Sequence, residues 1–340
     1  MIVDALSAVY GAAATWRRRW YASRGRRLTQ PVISVGNLRV GGTGKTPAVE
    51  AIARLLLEQG EHPAILSRGY ARRKASADVT VVSDYERVLA DVDHAGDEPM
   101  LLARALPGVP VLVGADRHRA GRQAEAQFGS TVHLLDDGFQ HVQLWRDVDL
   151  LLVDEADLAD RVLPAGRLRE PLANGAAAHA LIVPASTAGD RSRTIAERLG
   201  VSNVFHAGRS LGAPITIGPG VPAFDKSAPV FAVAGIARPE RFFADLRTSG
   251  VHVAGTMEFR DHHRFDQADV KQIADAARAC GAEAVVTTGK DAIRLEGLDL
   301  WAMAFAAVPL HTTIEPAAAF SSWLAQRLSR ARAAGNRSAS

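Results

Sequence analysis

The sequence predicts an α/β protein in which a larger unit, built on a mostly parallel sheet between helices, is followed by a smaller α/β unit. A chain of 340 residues is longer than one small hydrophobic core needs, so two units are expected. Residues 31–183 alternate short apolar runs with helical patterns, and these runs lack the polar alternation of half-exposed strands. A Gly- and Pro-rich stretch at 206–228 then separates this region from a second set of strand and helix patterns.

The larger unit is expected to span residues 31–205. Its predicted strands are 31–35, 63–67, 79–82, 109–116, 131–137, 147–154 and 180–185, and its predicted helices are 46–60, 98–106 and 117–129. After it we expect a hairpin-like linker at 206–228, an auxiliary α/β unit at 229–330 and a disordered tail at 331–340.

The composition is that of an ordinary globular protein, with 47% hydrophobic and 23% charged residues. A single cysteine, Cys280, excludes a disulfide within the chain and a multi-cysteine zinc site. The net charge is +3, but residues 1–30 contain six arginines and one acid, which leaves the remainder of the chain slightly acidic. Because the basic character is confined to the N-terminus, we expect no general nucleic-acid partner.

Residues 1–30 form an amphipathic, basic segment. Its apolar positions recur every three or four residues and are Ile2, Leu6, Val9, Ala13, Trp16 and Trp20. The apolar run is shorter than the roughly 20 residues of a membrane-spanning helix, and its charges follow it, unlike those of a signal peptide. Two interpretations remain open. The helix lies in the plane of an anionic membrane surface, or it packs on its own domain with solvated arginines.

The stretch RVGGTGKT is a glycine-rich loop between a predicted strand and a predicted helix. Its three glycines allow several backbone N–H groups to converge on phosphate oxygens at a helix N-terminus. This context predicts a P-loop core, and its candidate nucleotide-binding residues are Arg39, Val40, Gly41, Gly42, Thr43, Gly44, Lys45 and Thr46.

Two residues of this loop have specific expected roles. Lys45 would reach the β- and γ-phosphates of a nucleotide, and the Thr46 hydroxyl would bind Mg²⁺. The loop departs from the common signature at one point, because the first glycine of that signature falls on Arg39, while Gly36 lies three residues earlier.

Magnesium at such a loop also needs a carboxylate from the end of a neighbouring strand. Two segments compete, one ending in Asp136 and Asp137 and the other in Asp154. Two adjacent acids at a strand end are costly unless a cation compensates them, whereas a lone Asp154 is explained as a helix cap. The sequence therefore favours Asp136 and Asp137.

Transfer of a phosphoryl group to an alcohol needs a base, and two segments contain candidates. Asp97 precedes a helical run, so it is either a helix cap or a base. Asp261, His262 and His263 form a second concentration of proton-handling groups. Adjacent histidines in an extended segment point in opposite directions, which disfavours a shared metal. An Asp–His pair formed between the two units would suit removal of a hydroxyl proton, and a satisfied loop histidine is the alternative.

Several arginines lie in loops that follow apolar strands. They are Arg68, Arg117, Arg119, Arg167 and Arg169. Loops at the carboxyl ends of parallel strands line the ligand crevice in open α/β sheets. Each arginine alone is expected to be solvated, but their number on one edge favours an anionic ligand.

Taken together, the motifs resemble the tetraacyldisaccharide 4′-kinase family of Gram-negative lipid A synthesis. The resemblance is carried, in this order along the chain, by SVGNLRVGGTGKTP, SRGY, GDEP, DDGFQH, PAGRLREP, DHH and TTGKDAIRL. It implies a P-loop NTPase-like α/β/α core joined by a two-stranded linker to a smaller auxiliary α/β domain. It also implies transfer of the ATP γ-phosphate, with Mg²⁺, to the 4′-hydroxyl of a tetraacylated glucosamine disaccharide 1-phosphate at the cytoplasmic face of the inner membrane.

The resemblance also implies roles for individual residues. The implied catalytic residues are Asp97 as the base, His262 as its support, and Lys45. The implied metal shell consists of Thr46, Asp136, Asp137 and Glu170. The implied contacts outside the loop are Arg117 with the phosphates or the substrate's 1-phosphate, and Lys290 and Asp291 on the base side of the nucleotide. His263 receives no role.

A second class of function remains open, that of a membrane-associated ATPase switch of the partitioning or metal-insertion type. Loops of that class also read GGxGKT, and amphipathic segments of such proteins also bind membranes. Those loops usually place a lysine just before the paired glycines, where this sequence has Val40. The position of Val40 therefore disfavours the switch.

Overall fold

The structure is a computed structural model that describes residues 1–70, 72–74, 76–218, 228–300 and 303–339. The segment 219–227, which belongs to the expected linker, and residue 340 of the expected tail lie outside the described residues. Every strand and helix predicted for the larger unit is present, with its ends shifted by a few residues at most.

The helices are α1 (Ile2–Tyr21), α2 (Lys45–Glu58), α3 (Val92–Ala95), α4 (Asp97–Ala105), α5 (Arg117–Phe128), α6 (Asp190–Leu199), α7 (Pro239–Thr248), α8 (Gln267–Ala279), α9 (Gly289–Leu295) and α10 (Ala317–Ala339). The strands are β1 (Val32–Asn37), β2 (Pro63–Ser67), β3 (Thr80–Ser83), β4 (Val111–Val113), β5 (Val132–Asp136), β6 (Val148–Leu152), β7 (Ala180–Pro184), β8 (Val204–Leu211), β9 (Ile215–Thr216), β10 (Val230–Ala234), β11 (Val253–Glu258), β12 (Ala284–Thr288), β13 (Ala304–Val308) and β14 (Leu310–Glu315).

The larger sheet has nine strands in the order β14-β8-β7-β6-β1-β5-β2-β4-β3. Its pairs are parallel except at the two edges, where β3 pairs with β4 and β14 pairs with β8 in antiparallel fashion. Strand β1 lies at the centre between β5 and β6, and all six of its residues are buried. This burial on both faces explains why its sequence is a continuous run without polar alternation.

Helices cover both faces of this sheet. On one face, α2, α4 and α10 contribute to a single apolar core with the central strands. On the other face, α5 packs over β1, β2 and β5, while α6 packs over β6 and β7. The predicted α/β/α core with a mostly parallel sheet is therefore confirmed.

The smaller sheet has five strands in the order β11-β10-β12-β13-β9, and only the short edge strand β9 is antiparallel. Phe242 and Phe243 of α7 cover one face, and Val270 and Ile273 of α8 cover the other. This unit is the smaller α/β layer that the sequence predicts after the Gly/Pro-rich stretch.

The boundaries of the smaller unit differ from the expected ones. Strand β8 does not form a hairpin with β9; it pairs with β14, and Leu211 lies opposite Leu310. After β14 the chain stays with the larger sheet, because Phe320 and Leu324 of α10 are buried in its core. Burial of such side chains stabilises the fold by about 1.5–3 kcal/mol each, which holds the chain end on the larger unit.

The C-terminal end also differs from the expected disordered tail at 331–340. Helix α10 continues to Ala339. Arg332 pairs with Glu61 at 2.7 Å and donates to the carbonyl of Thr131, so the helix remains attached to the larger unit beyond residue 331.

Helix α1 packs through its small residues. Ser7 and Gly11 are its buried positions, and the Ser7 hydroxyl accepts a hydrogen bond from the backbone N–H of Ala165. The large apolar side chains face outward, and they are Ile2, Val3, Leu6, Val9, Tyr10, Trp16 and Trp20. Across the residues that the structure describes, no helix is both long and apolar enough to cross a membrane.

Candidate active site

One cleft of about 1910 Å³ lies between the two sheets. It opens at the carboxyl edge of β1 and β5, where ligands bind in open α/β folds. The phosphate loop forms one wall, and residues of the smaller unit, including His262 and Lys290, form the opposite wall. The cleft thus brings together the phosphate loop, the acids at the end of β5 and two residues of the smaller unit, whereas Asp97, Glu170 and Asp291 do not line it.

The phosphate loop follows β1 directly and leads into α2. Gly44 adopts a left-handed conformation with φ of 83°, which favours glycine, and α2 begins at Lys45. Lys45 Nζ lies 3.3 Å from Asn37 Oδ1 and 3.7 Å from Asp137 Oδ1. Asn37 Nδ2 also donates to the Thr43 hydroxyl at 2.8 Å. Asn37, which the sequence did not single out, therefore aligns the lysine and the loop.

All eight loop residues predicted to bind nucleotide line the cleft. Arg39 is buried and its guanidinium pairs with Asp157 at 3.1 Å, so its charge is already compensated. The backbone N–H of Val40 donates to the carbonyl of Arg167. These two residues fix the start of the loop, and the N–H groups after them are the ones available for phosphate.

The paired acids at the end of β5 have different environments. Asp136 is buried, and its Oδ1 has no hydrogen-bond partner within the described residues. Burial, with the charges of Glu98 and Asp137 nearby, raises the pKa of Asp136 to about 8. Burial acts on Asp137 too, but hydrogen bonds from Arg169, at 2.8 Å, and the charge of Lys45 hold its pKa below the usual value. Asp136 is thus the acid that lacks a partner.

The competing acid Asp154 lies at the edge of the same cleft and caps a 3-10 helix. Its side chain accepts from the backbone N–H of Ala156, which is the capping role that its position favoured. It also pairs with Arg241 of the smaller unit at 3.6 Å.

Arg117 begins α5 and lies beside Asp136 and Asp137 in the cleft wall. Burial, together with the charge of Arg68, lowers the pKa of Arg117 to about 10, so the guanidinium remains charged. It lies 3.4 Å from His141 Nδ1, and burial and the charge of Arg117 lower the pKa of His141 to about 3. This corner therefore presents a fixed cation and a neutral imidazole to an anionic ligand.

Glu170 does not reach the cleft, which contradicts its expected place in a metal shell. Its side chain is 4% exposed, and Arg18 of α1 binds it through two nitrogens at 2.9 and 3.0 Å. Gln140 and Asn174 donate to the same carboxylate at 2.8 and 3.0 Å. Four hydrogen bonds satisfy both oxygens, so this carboxylate has a structural role in the fold.

Asp97, at the start of α4, is tied to the smaller unit. Its Oδ2 lies 2.9 Å from His262 Nδ1 and accepts from both Nε and Nη2 of Arg294, with Nε at 2.9 Å. Burial alone would raise the pKa of Asp97, but the hydrogen bonds from His262 and Arg294 hold it well below its usual range. Asp97 lies behind His262 with 14% of its side chain exposed.

Two candidate residues have strained backbones. Asp137 and His262, with φ of 54° and 61°, are the two non-glycine residues in the described part of the chain with positive φ. Such conformations cost of order 1 kcal/mol or more and persist where the surroundings hold them in place. Their occurrence at opposite walls of one cleft points to a functional constraint there.

The two residues of the smaller unit expected near the nucleotide base differ in position. Lys290 lines the cleft, with its Nζ 3.5 Å from both His262 Nε2 and Glu98 Oε1. Asp291 is completely buried and binds the Gly235 N–H, the Thr288 hydroxyl and Arg294. The structure therefore contradicts a direct nucleotide contact for Asp291, whose carboxylate instead anchors Arg294.

Three residues that contribute to the site were not predicted from the sequence, and they are Asn37, Glu98 and Arg294. Each lies inside a quoted motif, in SVGNL, GDEP and TTGKDAIRL respectively. A motif indicates which segment matters, but the direction of each side chain is set by its distant partners. Arg294 reaches Asp97 from 197 residues away.

The comparisons with known proteins agree with the motifs. The family model described as tetraacyldisaccharide-1-P 4'-kinase matches residues 1–329. The chain is 40% identical over 301 residues to the tetraacyldisaccharide 4'-kinase of Geobacter metallireducens, covering 86% of this chain and 88% of that protein. It is also 40% identical over 339 residues to that of Bradyrhizobium sp., covering 98% and 92%.

A solved structure extends the agreement to the fold. The crystal structure of LpxK from Aquifex aeolicus in complex with ATP superposes with a TM-score of 0.76 at 31% identity, covering 96% of this chain and all of that one. The match of the family model over nearly the whole length, together with these identities, decides the assignment: this chain belongs to the tetraacyldisaccharide-1-P 4'-kinase family.

Proposed function

We propose that this chain transfers the γ-phosphoryl group of ATP to the 4′-hydroxyl of a tetraacylated glucosamine disaccharide 1-phosphate, which yields the bisphosphorylated lipid A precursor. The observation that carries this proposal is the Asp97–His262 pair, which is formed between the two units and whose His262 lines the cleft that contains the phosphate loop. A phosphate cage and an acid–base pair in one cleft are the two parts that phosphoryl transfer to an alcohol requires.

The phosphate loop supplies the grip on ATP. The loop residues after Val40 and the first residues of α2 line the cleft, and Lys45 is held there by Asn37. Because a loose phosphoryl-transfer transition state carries charge on its oxygens, fixed donors and cations supply most of the rate enhancement. Arg117 adds a second cation, which lies beside Asp136 and Asp137.

Mg²⁺ fits this site. Asp136 Oδ1 is a buried oxygen without a hydrogen-bond partner among the described residues, and the raised pKa of Asp136 reflects the same lack of compensation. Asp136 and Thr46 would hold the ion, with Asp137 beside them. Mg²⁺ held there would neutralise phosphate charge. Within the described ranges, no group of three or more His, Cys, Asp or Glu side chains is arranged to hold a metal ion.

The proton of the 4′-hydroxyl is received by Asp97. Within the described residues, the hydrogen bonds to its carboxylate end on Oδ2, which leaves Oδ1 for the substrate hydroxyl. As the hydroxyl oxygen forms its bond to the γ-phosphorus, the bond to the β-phosphate oxygen breaks and ADP leaves. His262 and Arg294 hold the carboxylate ionised and oriented, which makes them positioning residues for the base.

The acylated substrate explains the outward apolar face of α1. Trp16 and Trp20 stack at 5.4 Å between ring centroids and are 63% and 45% exposed. Such aromatic side chains favour the headgroup level of a bilayer, and the arginines of residues 1–30 favour anionic phosphates. We place the enzyme at the cytoplasmic face of the inner membrane, attached peripherally through α1.

The test uses γ-labelled ATP, Mg²⁺ and mixed micelles of a tetraacylated glucosamine disaccharide 1-phosphate. Label that moves into the organic phase, dependent on that lipid, supports the kinase. Label released only as inorganic phosphate, with or without the lipid, overturns it and favours the ATPase switch. That switch is not favoured, because the family match includes the smaller unit and its His262, which a switch does not need.

A further inference from the structure

Helix α1 is joined to the phosphate loop by a continuous set of partly buried polar contacts. The set starts at Arg18, whose guanidinium binds Glu170, donates to the carbonyl of Phe139 at 2.9 Å and lies 4.2 Å from the centre of the Phe139 ring. Arg18 is therefore fixed on three sides, although it belongs to a helix whose apolar face is exposed. Its neighbour Arg17 donates to the carbonyl of Gln140 at 3.1 Å.

The contacts continue inward from Glu170. Gln140 Nε2 donates to Glu170 Oε1 at 2.8 Å and to the carbonyl of Asn37 at 2.9 Å. Asn37 then accepts from Lys45 and donates to Thr43, both in the phosphate loop. Arg18, Glu170, Gln140 and Asn37 thus form what we call the α1–loop network.

A second route runs through the neighbour of Glu170 in the chain. Arg169 faces the cleft, where its guanidinium pairs with Asp137 at 2.8 Å and also donates to the Asn37 carbonyl. Glu170 therefore contacts α1, while the residue before it, Arg169, contacts the cleft carboxylate of Asp137. Any shift of α1 acts on the same short segment that orients Asp137.

The position of Gly36 keeps these parts in close contact. A Cβ atom at Gly36 would lie 2.5 Å from Phe139 Cβ and 2.8 Å from its backbone nitrogen. The segment that carries Phe139 and Gln140 therefore lies directly against the end of β1. Such tight packing transmits small displacements, because close-packed interiors have few alternative arrangements.

We propose that Arg18 and Glu170 are positioning residues that couple seating of α1 on a lipid surface to the geometry of the phosphate loop. The enzyme then grips ATP best when α1 lies on an anionic bilayer. This inference rests on the proposed function for two points, the assignment of the loop to ATP and the attachment of α1 to a bilayer. Coupling between two ligands is reciprocal, so ATP also strengthens attachment to the bilayer.

The test measures the Kd of a fluorescent ATP analogue, with Mg²⁺, for the full-length chain with and without saturating phosphatidylglycerol vesicles. We compare the wild type with Arg18→Met and Glu170→Gln, and with Arg19→Met as a matched control at an exposed arginine of the same helix. We expect vesicles to lower the Kd at least about fivefold for the wild type and for Arg19→Met. We expect no such decrease for Arg18→Met or Glu170→Gln.

Other outcomes overturn the inference. If vesicles lower the Kd equally in all four proteins, Arg18 and Glu170 do not carry the coupling. If vesicles leave the Kd of the wild type unchanged although it cosediments with them, there is no coupling. A shift of Mg²⁺ dependence in Glu170→Gln alone would make Glu170 a metal ligand instead. If Arg18→Met does not melt cooperatively, it is not properly folded, and the vesicle effect on the Kd of the isosteric variant Glu170→Gln decides whether the inference holds. A wild type that does not bind the analogue contradicts the proposed function rather than the network.

Discussion

The two walls of the cleft are assembled in different ways. The phosphate wall comes entirely from the larger sheet, where β1, its following loop and the end of β5 bring Lys45, Asn37 and Asp137 together. The base wall is shared, because Asp97 belongs to the larger unit while His262 and Arg294 belong to the smaller one. Under the proposed function, the grip on phosphate would be set within one unit, whereas the base would depend on how the two units meet.

This difference predicts a division of labour between nucleotide binding and proton transfer. Changes in the phosphate wall should affect both ATP binding and turnover, since the same atoms hold the ground state and the transition state. Changes in the base wall should reduce turnover with little effect on the KM for ATP. The substitutions below test this separation.

The largest effect is expected for Lys45→Ala. It removes the cation that Asn37 and Asp137 align and that we propose contacts the phosphates. We expect kcat to fall about 10³–10⁵-fold, by analogy with loss of an arginine that stabilises the transition-state charge of phosphoryl transfer. The measurement is label transfer from ATP to the lipid, with the KM for ATP determined alongside. Lys271→Ala, at a lysine with an 80% exposed side chain, is the control and should keep full activity. Full turnover of Lys45→Ala at saturating ATP would contradict the role of the loop.

Asp97→Asn should come next. Loss of a general base reduces turnover about 10²–10⁴-fold, and we expect kcat to fall within that range while the KM for ATP stays within about threefold. Asp93→Asn, on α3 beside α4, is the matched control, because its partner is the half-exposed Arg264 and not His262. A variant that bound ATP poorly but turned over normally when saturated would refute the base assignment.

Arg294→Met should have a smaller effect with a distinctive pH signature. We expect a 10–100-fold loss of kcat, comparable to loss of other groups that orient a catalytic residue. Without the guanidinium, the carboxylate loses a hydrogen bond and a nearby positive charge that lower the pKa of Asp97, so this pKa rises and the acid limb of kcat/KM moves to higher pH. Arg247→Met, at an exposed arginine, is the control. A loss of kcat with an unchanged pH profile would indicate a merely structural role.

The sequence predicted those parts of the site that local chain geometry determines. The loop at 39–46 follows a buried strand and precedes a helix, and the acids at 136–137 follow the adjacent strand, so sheet topology alone brings them together. The Asp97–His262 contact was expected only as a pairing between two motifs. The roles of these residues in catalysis remain predictions until the variants are measured.

The sequence could not predict contacts whose partners lie far along the chain. Glu170 is directed away from the cleft because Arg18, 152 residues earlier, binds it. Asp291 is buried because it must hold Arg294. The end of the smaller unit was misplaced for a similar reason, since Phe320 and Leu324 show a helical pattern that does not reveal which sheet they cover.

The smallest effect is expected where the two units meet outside the cleft. Arg264 pairs with Asp93 at 3.1 Å, but its side chain is 50% exposed. Exposed ion pairs contribute about 0–1 kcal/mol, so Arg264→Ala should change kcat less than about twofold and leave the KM for ATP unchanged. The measurement is kcat at low and at high salt, because screening should remove even this small difference. A tenfold loss would mean that the exposed contact, rather than the buried pairing of Arg294 with Asp97, sets how the two units meet.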